Sequence, residues 1–322
     1  MYLIKLGDGG GNVRIEEFTF KDKQNVEIFT YKWLPDEDKR IKGVIQIAHG
    51  MAETAARYER FAEFITNEGY VVYANDHRGH GKTAKCIENV GYIGRDGFYW
   101  MIEDMKQLND IIKKEYSNIP VYLMGHSMGS FLSQGYIQKY GDSIDGVILS
   151  GTAGKQGFLL EFGILIAKLE MKRKGERWQS NLLNKLSFGN YNKSFKPTKT
   201  EFDWLSSDEK EVEKYINDPF CGTVFTSSFF YDFLKGLKMI HQNRNMAKIP
   251  KDLPIYIFAG ELDPVGNNCK TIRWLIERYR KLGIKDIEYK FYKNGRHEML
   301  NEINRDEVMR DILIWLESHK NK

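Results

Sequence analysis

Four apolar residues, Val121-Tyr122-Leu123-Met124, run directly into Gly125-His126-Ser127-Met128-Gly129, and a helical pattern follows from Phe131 to Tyr140. A strand that becomes a helix in so short a span must reverse sharply, and Gly125 and Gly129 stand where side chains would clash. The turn lifts the Ser127 hydroxyl off the sheet edge. The helix behind it aims its first amides at any negative charge that develops there. Gly-x-Ser-x-Gly between a strand and a helix is a nucleophile elbow, so Ser127 is expected to be a catalytic nucleophile. The elbow also constrains the fold, because it requires a buried strand with a helix returning over it.

The flanking sequence repeats that unit. Val13 to Phe20 and Val26 to Trp33 alternate as an antiparallel pair. Gly43 to Ala48, Tyr70 to Ala74 and Gly146 to Leu149 are continuous apolar runs, the mark of strands buried on both faces. Arg57 to Asn67 and Gly97 to Tyr116 read as helices. Beyond Gly151 the pattern turns helical without a buried strand, until Ile255 to Ala259 and Ile287 to Tyr292 resume the alternation with helices at Asn267 to Lys281 and Asp306 to His319. The expected architecture is an α/β domain with a doubly wound, mostly parallel sheet of about eight strands. It divides into a first core part (1–151), a helical cap or lid inserted after the sixth strand (152–246) and a second core part (247–322).

With 42% hydrophobic and 29% charged residues the chain reads as globular, and a net charge of +4 gives no argument for nucleic acid. Cys86, Cys221 and Cys269 are too far apart for a zinc motif or a disulfide framework, which points to a reducing compartment. The apolar start, Met1 to Leu6, is too short for a signal-peptide core, and no stretch reaches the ~20 apolar residues of a membrane span. The expected location is cytoplasmic. Within the cap, Lys168 to Lys199 holds nine basic residues against two acidic ones, and Glu201 to Asp218 holds seven acidic against two basic. These blocks either pair with one another or present a basic arm to anionic lipid or a phosphate-bearing substrate.

An activated serine needs a base, and the base needs an orienting carboxylate, in the chain order Ser, Asp or Glu, His for a sheet of this kind. Asp263 follows the strand Ile255 to Ala259, and His297 follows the strand Ile287 to Tyr292, so both are expected on the edge that carries Ser127. Glu261 and Asp286 are less well placed alternatives to Asp263. An oxyanion hole needs two amides. Met128, after the nucleophile, and Met51, in the loop His49-Gly50-Met51-Ala52 after an early strand, are the candidates. His126 reads as a packed structural histidine. The loop Asp76-His77-Arg78-Gly79-His80-Gly81 lacks the ligands for a metal site, and Gly79 to Thr83 lacks the leading glycine of a phosphate loop. No cofactor and no metal are expected. Two apolar cap segments, Gly157 to Leu169 and Phe225 to Leu237, serve as core packing or as an acyl channel. Phe158, Phe162, Phe229 and Phe230 are the candidate substrate contacts, and the cap is a candidate for transient contact with a membrane surface.

Several phrases together resemble the monoacylglycerol lipase and lysophospholipase branch of the α/β-hydrolases, which is also grouped with serine aminopeptidases. They are His49-Gly50-Met51-Ala52-Glu53 with Arg57-Tyr58, Asp76-His77-Arg78-Gly79-His80-Gly81, the elbow, Gly260-Glu261-Leu262-Asp263-Pro264-Val265 and Arg296-His297-Glu298. In the cap, Asp203-Trp204-Leu205-Ser206 and Asp218-Pro219-Phe220-Cys221-Gly222 are similar too, whereas Lys172 to Lys199 departs from the pattern. The resemblance implies an α/β-hydrolase fold. It also implies a serine hydrolase that cleaves carboxylic esters of glycerol lipids with Ser127, Asp263 and His297 as triad and Met51 and Met128 as oxyanion donors. Thioester hydrolysis, acyl transfer and aminopeptidase activity are alternatives open to the same triad.

Overall fold

A computed structural model describes residues 3–6, 13–155, 157 and 159–320. Its strands are β1 (Leu3–Leu6), β2 (Arg14–Lys21), β3 (Glu27–Leu34), β4 (Gly43–Ala48), β5 (Tyr70–Asn75), β6 (Val121–His126), β7 (Gly146–Ser150), β8 (Ile255–Gly260) and β9 (Ile287–Tyr292). They form one sheet in the order β1-β2-β3-β5-β4-β6-β7-β8-β9. Pairing is antiparallel from β1 to β5 and parallel from β5 to β9. The sheet has nine strands where about eight are expected. The added one is β1, which lies on the outer edge of β2 with Leu3 opposite Glu17. A four-residue edge strand has one neighbour and too short a run to show a period.

Helices α1 (Glu59–Asn67), α2 (Gly97–Glu115), α3 (Met128–Tyr140), α9 (Lys270–Lys281) and α10 (Arg305–His319) cover the sheet. Every residue of β4 to β8 is buried, which is why those strands read as unbroken apolar runs. Alternate side chains nevertheless serve different layers. In β6, Leu123 packs with α2 and α3, while Tyr122 and Met124 pack with α1 and α10. Each such buried side chain contributes about 1.5–3 kcal/mol of hydrophobic stabilisation.

Between β7 and β8 lie α4 (Leu159–Lys174), α5 (Asn181–Phe188), α6 (Glu209–Asn217), α7 (Ser227–Ile240) and α8 (Asn243–Met246). The only β contact in this segment among the described residues is an isolated bridge, Gln179 with Thr226. The segment follows β7, the sixth of the strands legible in the sequence. It is bound to the core at several points. Gly222 N–H donates to Ala52 O at 3.0 Å, Glu298 N–H to Leu205 O at 2.7 Å, and Arg305 pairs with Asp208 at 2.8 Å.

The strand order places the site. The chain passes from β4 outward to β5 and then crosses back to β6 on the other side of β4. The loops after β4 and β6 therefore diverge from adjacent strand ends, the point where open α/β sheets leave a crevice. Those loops carry Met51 and Ser127.

Candidate active site

Ser127 has φ 51° and ψ −118°, a conformation that a residue with a side chain rarely holds. Its neighbours enforce it. A Cβ on Gly129 would overlap the Ala48 carbonyl at the end of β4, and one on Gly125 would overlap the Gly129 carbonyl and Ser133 Oγ. Helix α3 thus packs backbone against backbone over β4, which only glycine permits. Ser127 N–H donates to Ser150 O at 3.0 Å, so the elbow is tied to β7 as well.

Asp263 and His297 come from the loops after β8 and β9. Gly260 brings those loops into backbone contact, since a Cβ there would overlap the Gly295 and Arg296 carbonyls. His297 Nδ1 lies 3.0 Å from both carboxylate oxygens of Asp263. The carboxylate only accepts, so Nδ1 carries the proton and Nε2 is left as the basic nitrogen. Asp263 is fully buried and His297 is 2% exposed. Burial acts to lower the His297 pKa, but the adjacent Asp263 charge and hydrogen bond outweigh it and raise it. The imidazole is packed between His126, at 4.7 Å between ring centroids, and Trp204, at 5.0 Å. Of the alternatives to Asp263, Glu261 is exposed, and Asp286 precedes β9 at its far end.

The loop after Asp263 shortens the expected helix. Asn267, Asn268 and Cys269 take φ values of 50°, 51° and 65°, so α9 begins at Lys270 rather than Asn267. Asparagine tolerates this left-handed region better than most residues.

The oxyanion loop is held from behind. His49 Nδ1–H donates to Gly50 O at 2.8 Å, and His49 Nε2 accepts from His77 N–H at 2.9 Å. Both bonds use the neutral ring, and burial depresses its pKa to about 4. Met51 sits on the wall of a cavity of about 580 Å³ that also exposes Ser127 and His297. Met128 opens α3, where the first amides have no partner within the helix. Neither the Met51 nor the Met128 amide donates to a backbone acceptor among the described residues. His126 is buried with Nδ1 3.1 Å from Ser150 Oγ. Asp76 accepts from the amides of Ala55 and Lys82 at 2.8 and 2.7 Å.

The family model described as serine aminopeptidase, S33, matches residues 39–304. The chain belongs to this family, and its fold is that of an α/β-hydrolase. Over 307 residues it is 27% identical to a monoacylglycerol lipase of Mycolicibacterium smegmatis, covering 94% of this chain and 97% of that one. It is 24% identical to a probable lysophospholipase L2 of Haemophilus influenzae, covering 90% and 87% of the two chains. Among solved structures, a thermostable carboxyl esterase from Bacillus coagulans in complex with glycerol superposes with a TM-score of 0.86 at 30% identity, covering 95% and 99%.

In this S33-family chain the expected aromatic contacts are distributed differently from the expectation. Phe229 and Phe230, on α7, are 0% and 1% exposed and pack in the core with α2 and α3 rather than on the cavity wall. Phe162 is 55% exposed on the outer side of α4. Phe158 lies outside the described residues. Periodicity marks α7 as amphipathic without saying which surface its apolar face meets. The cavity instead draws its apolar wall from Phe188, Phe202, Leu205, Tyr215 and Val224, beside Asn181, Asn184 and Lys185 of α5.

Sequence reasoning also leaves a buried ion cluster behind the site without a role. Arg57 Nη1 and Nη2 form two bonds of 2.7 Å to Glu298, next to His297, and Nη1 makes a third of 2.7 Å to Glu53. Glu53 in turn accepts from Gly50 N–H and from Tyr58 Oη at 3.0 Å. Arg57 therefore couples the oxyanion loop to the histidine loop. It also stacks on Tyr215 of the inserted segment, 4.9 Å from the ring centroid. The partners are up to 241 positions apart, and no local pattern joins them. Part of the acidic block of the inserted segment is paired: Glu211 binds Arg60 and Lys214, and Glu209 binds Lys199.

Proposed function

We propose that this chain hydrolyses carboxylic esters of monoacylglycerol or lysophospholipid type through an acyl-enzyme on Ser127. That it is a carboxylic ester hydrolase follows from its family and its relatives. The observation that carries the catalytic assignment is the buried Asp263–His297 pair, which leaves imidazole Nε2 as the basic nitrogen in the cavity that exposes Ser127. His297 takes the Ser127 proton as Oγ attacks the ester carbonyl. The amides of Met51 and Met128 receive the oxyanion. The tetrahedral intermediate collapses, His297 protonates the leaving alcohol, and water then frees the acid by the same route. Asp263 holds the ring in its tautomer and stabilises the imidazolium.

The substrate class rests on the cavity and on the names of the relatives. About 580 Å³ is enough for an acyl glycerol, and the wall offers apolar surface for the chain with asparagine amides for hydroxyls. Residues 152–246 act as the cap. On its outer side Phe162, Leu165 and Leu169 of α4 and Leu182 and Leu186 of α5 are 45–57% exposed. Lys168, Lys172 and Arg173 accompany them on α4. An apolar ridge with basic neighbours suits transient contact with a lipid surface that presents the substrate. No helix among the described residues is long and apolar enough to cross a membrane. Free thiols at Cys86, Cys221 and Cys269 fit a cytoplasmic location.

The test is hydrolysis of p-nitrophenyl esters from acetyl to palmitoyl and of monoacylglycerols, with Ser127→Ala in parallel. Turnover that depends on Ser127 and peaks at medium or long chains supports the proposal. A peak at acetyl would remove the acyl-chain reading. Turnover confined to thioesters or amino-terminal amides would move the activity to those classes.

A further inference from the structure

Far from the cleft, three side chains from two elements converge. Asp286 immediately precedes β9, Glu288 is two residues on and so projects from the same face, and His319 is the last residue of α10. His319 Nε2 lies 3.2 Å from Asp286 Oδ2 and 3.7 Å from Glu288 Oε1, and one ligand atom from each residue falls within 4.8 Å of the other two. The imidazole is 4% exposed, while Asp286 and Glu288 are 24% and 56% exposed. The group is thus a buried nitrogen with a solvent-open acidic mouth.

The ring is oriented by the helix. His319 Nδ1 lies 2.8 Å from Trp315 O and 2.9 Å from Ser318 Oγ, and Ser318 Oγ itself donates to Trp315 O at 2.8 Å. A carbonyl only accepts, so Nδ1 carries the proton. Trp315 packs against the ring with the centroids 4.5 Å apart and the planes tilted by 32°, which helps to hold its orientation. Nε2 faces both carboxylates and donates to Asp286 Oδ2 at 3.2 Å, so an ion bound between them takes the place of the Nε2 proton. Backbone fixation of Nδ1–H is also how metal-binding imidazoles are oriented. Bonds of about 2.0–2.2 Å to a common ion put ligand atoms roughly 3.0–4.2 Å apart, close to the separations present.

We propose that Asp286, Glu288 and His319 bind one divalent first-row transition cation of the Zn²⁺ or Co²⁺ class. One imidazole with two carboxylates suits these ions, whereas Mg²⁺ and Ca²⁺ favour all-oxygen sets. The site tethers the end of α10 to the edge strand. It plays no part in ester cleavage, because it sits at the start of β9 and His297 follows the other end, about 20 Å away along a six-residue strand. The ligands are spread over positions 286, 288 and 319, so no metal motif is visible in the sequence.

The experiment uses the full-length chain, free of affinity tag and stripped of metal. Co²⁺ and Zn²⁺ are titrated by calorimetry and, for Co²⁺, by visible absorption, and melting is followed at saturation. The expected result is one equivalent bound and a melting temperature raised by several degrees, with no comparable response to Mg²⁺. Glu288→Gln, on an exposed side chain, should weaken binding at least tenfold while leaving apo stability and ester turnover unchanged. His319→Gln should abolish binding. Absence of saturable binding, equal affinity in both variants, or equal binding of Mg²⁺ would each overturn the proposal.

Discussion

Replacing Arg57 by methionine tests how much of the site is held by its buried ion cluster. The change removes three charge-assisted hydrogen bonds of 2.7 Å and leaves Glu53 and Glu298, 4% and 5% exposed, without their cation. Stranding one side of a buried pair costs about 3–5 kcal/mol. For 322 residues, an unfolding entropy of ~2.1 cal/mol/K per residue gives ~0.7 kcal/mol/K. The expected fall in melting temperature is therefore about 4–7 °C. Adding Glu298→Gln to Arg57→Met should cost less than the two separate losses together, because the second change removes the stranded charge. The loss also depends on pH. Burial pushes the Glu298 carboxyl up, and Arg57 more than offsets this, so its folded pKa lies below the ordinary 4.5. The pair then contributes stability above about pH 4.5 that disappears as pH falls through the depressed value. The gap between wild type and Arg57→Met should narrow over that range. Calorimetry or circular dichroism melts at pH 7 and pH 3, inside the window between 4.5 and the depressed value of about 2, decide it. A variant that melts within 1–2 °C of wild type at neutral pH, on the order of the shift for 1 kcal/mol, would refute the reasoning.

Asp263→Asn should lower kcat about 10⁴-fold with folding intact, because the amide no longer holds the Nδ1–H tautomer that leaves Nε2 basic; a loss under tenfold in steady-state assays would move the orienting role elsewhere. The rate kcat/KM should fall on the acid side with an apparent pKa above 6.5, since Asp263 raises His297 and the base must be neutral to act; a limb below 6.5 would contradict the buried pairing. Acid unfolding should have a separate cause. Burial depresses His49 and His126 to about 4 from 6.5, so the unfolded chain binds more protons below pH 6.5. Stability should be full above that value and fall as pH drops toward 4, and urea midpoints in His126→Gln should vary less steeply with pH than in wild type. Finally, Leu165→Glu with Leu186→Glu should weaken binding to anionic lipid vesicles at least tenfold and leave turnover of a soluble short ester intact; equal loss on both would return these residues to a structural role.

Much of the site is legible locally, because its requirements are local. The sharp turn at Ser127 needs glycines two residues to either side, and they are written there. Strands β4 to β8 are buried on both faces, so each announces itself as an apolar run. Asp263 and His297 can be placed because each follows a strand, Asp263 the buried β8 and His297 the partly exposed β9, and strand ends share an edge in a parallel sheet. The short edge strand β1 has no such signature. The start of α9 is also hidden, since three successive left-handed residues leave no mark in periodicity.

The sequence by itself determined the α/β alternation, the elbow and the chain order of nucleophile, acid and base, all of which follow from steric and burial rules acting over a few neighbouring residues. The tertiary structure alone decided which side each apolar face serves: Phe229 and Phe230 go to the core, Phe162 to the outer surface of the inserted segment, and Phe188 and Tyr215 to the cavity. It also brought Arg57 to Glu298 across 241 positions and His319 to Asp286 across 33. Such contacts depend on how whole layers pack, and a side chain's hydrophobicity or charge states that it needs a partner without saying where that partner lies.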